Sequence, residues 1–62
     1  MIYWIYEDKD GLWSWYLKSA NDEKIADSGE GYRNKVECKH GVDLVKGSAD
    51  ARVNELNTSN QV

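Results

Sequence analysis

Hydrophobic and polar positions alternate most regularly between Leu12 and Lys18. Trp13, Trp15 and Leu17 fall on one side, with Leu12, Ser14, Tyr16 and Lys18 on the other. Period-two alternation rich in aromatics predicts a strand with one buried face. Two tryptophans two residues apart carry roughly 150–250 Å² each, so their side is the expected core. Residues 1–8 predict a first strand, and Ile2, Tyr3, Trp4, Ile5 and Tyr6 make it apolar on both faces. A three-residue loop, Lys9-Asp10-Gly11 with Gly11 left-handed, sets Ile5 opposite Trp15 and Tyr3 opposite Leu17. A two-residue loop would instead oppose Ile5 to Tyr16. The first register gathers the apolar residues and is preferred.

A third strand is expected over residues 23–28, after a two-residue turn at Asn21-Asp22. That register opposes Ala26 to Leu17, Ser28 to Trp15 and Ile25 to Lys18. Small residues then face large ones and leave room for a helix. Gly29 and Gly31 mark a turn that re-aims the chain. Asn34 with Glu37 three residues on reads as an N-cap. The spacing predicts a helix over residues 35–46, with Cys38, Val42, Val45 and Ala49 as its buried stripe, Gly41 beside it and Gly47 as the stop. Residues 51–56 predict a short last strand in which Ala51, Val53 and Glu55 alternate with Arg52, Asn54 and Leu56. Residues 57–62 read as a polar tail, expected to be disordered, so the domain is placed at 1–56. The expected core is Tyr3, Ile5, Trp13, Trp15, Leu17, Ala26, Val42 and Val45.

Composition narrows the function classes. A chain of 62 residues is marginal as a single domain. One cysteine excludes an internal disulfide, and one histidine offers no metal cluster. Oligomerisation is the remaining route to stability. A net charge of −3 argues against a general nucleic-acid binder. No leader or long apolar run is read, so no membrane role is expected and the cytoplasm is the expected location.

The segments Ile5-Tyr6-Glu7-Asp8-Lys9-Asp10-Gly11, Trp13 to Lys18, Ala20-Asn21 and Ile25 to Tyr32, followed by His40-Gly41-Val42-Asp43 and Val45-Lys46, carry a resemblance. From about Tyr3 to Leu56 the chain resembles the YegP-like family of small bacterial and archaeal proteins. Ser28-Gly29-Glu30-Gly31-Tyr32 is the most specific part. The resemblance implies an α+β fold of β-β-β-α-β units associated in pairs, as tandem repeats or as two subunits. It implies one shared sheet with exchanged C-terminal strands, hence a homodimer for a single unit. Ala51, Val53 and Leu56 would belong to the exchanged strand. It brings no biochemical activity. The chain departs from the family at Asp22, where glycine is common, at Lys39, where an apolar helix residue is common, and at Lys24, where a β-branched residue is common.

Four candidate sites compete with plainer readings. Gly29-Glu30-Gly31 before a helix resembles a phosphate cradle but lacks a third glycine, and Glu30 repels anions; a turn is the better reading. His40, Glu37 and Asp43 share a helix face, without a second histidine for a metal. Cys38 lies about 200° round the helix from His40, which favours a core thiol over a nucleophile. Ile2, Trp4, Tyr6, Leu12, Tyr16 and Ile25 form a second sheet face that one helix cannot cover. The expected use of that face is burial in a homodimer. Its alternative is a single-stranded nucleic-acid platform in which Trp4, Tyr6 and Tyr16 stack on bases and Lys9, Lys18 and Lys24 contact phosphates. No nucleophile–base or carboxylate pair is assembled, so no catalysis and no cofactor are expected.

Overall fold

The computed structural model describes residues 1–56 of the chain. Three strands, β1 (Ile2–Glu7), β2 (Trp13–Lys18) and β3 (Lys24–Asp27), precede one helix, α1 (Lys35–Lys46). The strands form one antiparallel sheet in the order β1-β2-β3. The expected tail at 57–62 lies outside the described residues.

The first hairpin follows from Gly11. Its φ of +80° is open to glycine at little cost. Gly11 N donates to Asp8 O at 3.0 Å and Asp8 N to Leu12 O at 2.8 Å, closing the loop Lys9-Asp10-Gly11. Asp8 Oδ1 accepts from the amides of Asp10 and Leu12 and holds the turn. Ile5 therefore lies opposite Trp15 and Tyr3 opposite Leu17.

The second hairpin corrects the expected two-residue turn. Asp22 N donates to Ser19 O at 3.0 Å and Ser19 N to Glu23 O at 2.8 Å, so the loop is Ala20-Asn21-Asp22. Asp22 alone takes the positive φ, +66°. The longer loop pairs Lys18 with Lys24 rather than Ile25, while Ala26 still faces Leu17. The difference is absorbed by a register shift between Leu17 and Lys18. Both hairpins thus use a three-residue loop ending in a left-handed residue.

Beyond β3 the chain stays close to β2. Ser28 N donates to Trp15 O at 3.0 Å, and Tyr32 and Trp13 exchange two backbone hydrogen bonds of 2.8 and 2.6 Å. Gly29, at φ +76°, turns the chain between these contacts. Gly31 lies so close to Leu12, the residue before β2, that a Cβ there would sit 2.7 Å from Leu12 Cβ.

Asn34 caps α1: its Oδ1 accepts from Glu37 N at 2.8 Å. Cys38, Gly41 and Val42 of the helix are buried. Trp15 is buried beneath them, with Tyr3, Ile5, Trp13, Leu17, Ala26 and Tyr32 packed around this centre. Tyr3 meets Trp15 edge-on, ring centroids 5.6 Å apart. The expected stripe is corrected at its C-terminal end. Val45 is 37% exposed, and Ala49 lies in the turns after α1, fully outside the core. Helix α1 ends at Gly47 with φ −83°, not left-handed.

The last strand is the third correction. Residues 51–56 have no regular secondary structure and are exposed. Among the described residues the order is β-β-β-α, and Val53 pairs with nothing in its own sheet.

Candidate functional site

The outer face of the sheet, opposite α1, is built by β1 and β2. Trp4 pairs with Tyr16 across the strands, and Tyr6 lies diagonally nearby. The Tyr6 and Tyr16 rings are 5.7 Å apart at 50°. Trp4 is 50% and Tyr6 45% exposed, with Ile2 and Ile25 exposed at the margins. Strand alternation places these residues together, since Tyr3 and Ile5 take the core side. The structure therefore gathers Trp4, Tyr6 and Tyr16 on one open surface.

The cations around this surface are engaged. Lys18 Nζ is 3.1 Å from Asp22 Oδ1 and 5.7 Å from the Tyr16 ring centre. Lys24 is ion-paired with Asp27. Its hydrogen bond to Asp27, and then the nearby negative charge, hold the Lys24 ammonium above its ordinary range. The reciprocal hydrogen bond holds the Asp27 carboxyl below its ordinary range, helped by Gly29 N–H. Two of the three lysines considered for phosphate contact thus already have carboxylate partners.

A polar hollow at the end of the sheet is lined by Asp8, Ser14, Asp27, Ser28 and Glu30, with Tyr6 at its edge. Gly29 N donates to Asp27 Oδ1 at 2.9 Å, and Ser28 Oγ donates to Glu30 O at 3.0 Å. The loop amide at Gly29 is committed to a carboxylate and the rim is acidic. This is a turn, not an anion cradle.

On α1, His40 and Glu37 line an apolar groove with Tyr32, Val36, Gly41 and Leu44. Among the described residues no group of three or more His, Cys, Asp or Glu side chains could hold a metal ion. Cys38 has no exposed surface, and burial pushes its thiol above the ordinary range, away from the reactive thiolate.

Sequence reasoning missed the place of Tyr32. Its hydroxyl covers Gly41: a Cβ there would lie 2.5 Å from the hydroxyl and 3.5 Å from Trp15 Nε1. Trp15 Nε1 is buried with no hydrogen-bond partner among the described residues. Gly41 signalled a close approach in the sequence, but the approaching group comes from the loop rather than from a strand.

These features define a small α+β domain with an open aromatic sheet face. The model of the domain of unknown function DUF1508 matches residues 8–55, and the chain belongs to this family, that of the YegP-like small proteins. A UPF0339 protein of Neisseria meningitidis serogroup B is 49% identical over 51 residues, spanning 82% of this chain and 89% of the relative. A UPF0339 protein of serogroup A matches to the same extent. The solution structure of a Haloferax volcanii protein superposes with a TM-score of 0.78 at 36% identity, covering 89% of this chain and 93% of that one. Among the described residues no helix is long and apolar enough to cross a membrane.

Proposed function

We propose that this chain is a non-catalytic interaction or scaffold module that works as a homodimer and exchanges residues 51–56 between copies. One observation carries the reading. Among the described residues a single copy buries only three apolar ones, Trp15, Cys38 and Val42, while its C-terminal segment holds Val53 at 88% and Leu56 at 73% exposure. So small a core supports little stability by itself, and the exposed apolar groups are what a second copy would cover. The outer sheet face enlarges that surface.

Single-stranded nucleic-acid binding has less support. The aromatic platform exists, but Lys18 and Lys24 are paired with carboxylates and the net charge is −3. Sedimentation equilibrium tests the dimer, and titration with an oligonucleotide at low and high salt tests the alternative. A homodimer without salt-dependent oligonucleotide binding is the expected outcome. A stable monomer at micromolar concentration would sink the proposal.

A further inference from the structure

Two hydrogen-bonding side chains converge on the gap that Gly41 leaves in α1. The place a Cβ would take there lies 2.5 Å from the Tyr32 hydroxyl and 3.5 Å from Trp15 Nε1. Trp15 is 5% exposed, and its Nε1 has no hydrogen-bond partner among the described residues. A buried indole N–H normally finds an acceptor, because it gives up its water to be there. This one is left over after the fold is assembled.

Gly41 and Tyr32 also border an open groove of about 400 Å³, walled by Val36 and Leu44. Val36, His40 and Leu44 recur every four positions, so one helix face makes the wall. The unpaired N–H therefore stands behind Gly41, at the inner end of an apolar groove of the size that takes a small molecule. Its chemistry narrows the occupant. An indole N–H only donates, so a cation or a second donor does not fit. Glu37 on the rim repels a carboxylate or phosphate, and no lysine or arginine lines the groove to hold one. A neutral acceptor satisfies all of these groups.

We infer that the groove between Tyr32 and α1 is a binding site for a small neutral molecule with an apolar body and a carbonyl oxygen, as in a ketone, ester or amide. The oxygen accepts from Trp15 Nε1 and from the Tyr32 hydroxyl once the Tyr32 ring swings off Gly41. The apolar body lies against Val36 and Leu44. This site goes beyond the scaffold reading and does not depend on association between copies.

The test uses the full chain, isotope-labelled and followed by NMR. Acetophenone is the probe, and α-methylstyrene, which has CH2 in place of the carbonyl oxygen, is its control. The three tryptophans give three indole signals. Acetophenone should move the Trp15 indole proton downfield and saturably, leaving Trp4 and Trp13 unmoved, and α-methylstyrene should not. In Trp15→Phe, acetophenone should lose about tenfold in affinity relative to α-methylstyrene. Comparing the two probes cancels any loss of packing. Leu44→Asp, at an exposed position, should abolish binding of both probes in a folded protein. An unmoved Trp15 indole would overturn the site. So would an indole proton that cross-relaxes with a long-lived water and ignores the probe, or the same shift in Leu44→Asp. Groove signals that respond to protein concentration and not to probe would mean that a second copy covers the groove, which also overturns it. A dimer without the shift removes the site alone, and a monomer with it removes the dimer alone.

Discussion

At the scale of single residues, the two hairpins offer a direct comparison. Gly11 and Asp22 occupy equivalent left-handed positions at φ +80° and +66°. Glycine accepts this conformation, whereas a β-branched residue does not. Gly11→Val should cost more than about 1 kcal/mol. Asp22→Gly should be neutral or stabilising, because the conformational relief outweighs one exposed ion pair with Lys18. Urea midpoints at one protein concentration check both, and the opposite ranking would contradict the loop assignments. Trp15→Ala removes the buried centre beneath α1 and should destabilise by roughly 3–5 kcal/mol. Retained near-normal melting would show that the core lies elsewhere. Asp27 makes a pH prediction. Its carboxyl is held below the ordinary value of 3.8 by Lys24, so its contribution is present above that value. That contribution fades as pH falls from there through the lower folded value. The pair is exposed, so the effect on stability is small. Carbon-detected NMR titration should show the Asp27 transition moving up toward 3.8 in Lys24→Ala.

Elements join through tight approaches rather than broad apolar contact. Helix α1 is capped by Asn34 and buries Cys38, Gly41 and Val42, but leaves Val36, Leu44 and part of Val45 in solvent. Gly41 is the point of closest approach, with Tyr32 laid across it. An alanine there gains about 1 kcal/mol of helix propensity. It must also displace the Tyr32 hydroxyl and ring end, an overpacking cost of roughly 1–3 kcal/mol. Gly41→Ala is therefore expected to destabilise. Adding Tyr32→Phe, which removes the nearest atom, should recover part of the loss. A double-mutant cycle by thermal melting measures that coupling, and a stabilised single variant would mean that Tyr32 yields freely.

The molecule as a whole holds much apolar surface for its size. The outer face of Trp4 and Tyr6, the groove beside Val36 and Leu44, and the segment with Val53 and Leu56 all lie open in one copy. For an isolated chain, Val53→Asp should be nearly neutral, as surface changes usually are. If residues 51–56 seat on a second copy, the same change buries a charge at the seam. The expected outcome is a lower melting temperature and weaker association, with the wild-type melting temperature rising with protein concentration. Equal stability and equal sedimentation of the two proteins would mean that the segment seats on nothing.

Local patterns carried a large share of this architecture. Alternation around Trp13 and Trp15 marked the core side of β2, and Gly11 set the first register, because both depend on neighbouring residues and backbone sterics alone. Asn34 and the helical spacing after it placed α1 at residues 35–46, since capping and periodicity are also local. The face shared by Trp4, Tyr6 and Tyr16 was legible for the same reason. The second loop was not: a three-residue loop by itself would set Ile25 opposite Leu17, and only the assembled ladder, with its shift at Leu17/Lys18, restores Ala26 to that place. Tyr32 over Gly41 depends on the loop returning to pair with Trp13, a contact between residues distant in sequence. The state of residues 51–56 was beyond local reasoning too. Their alternation suits a strand, but a strand exists only when it pairs with an edge, and among the described residues they pair with none.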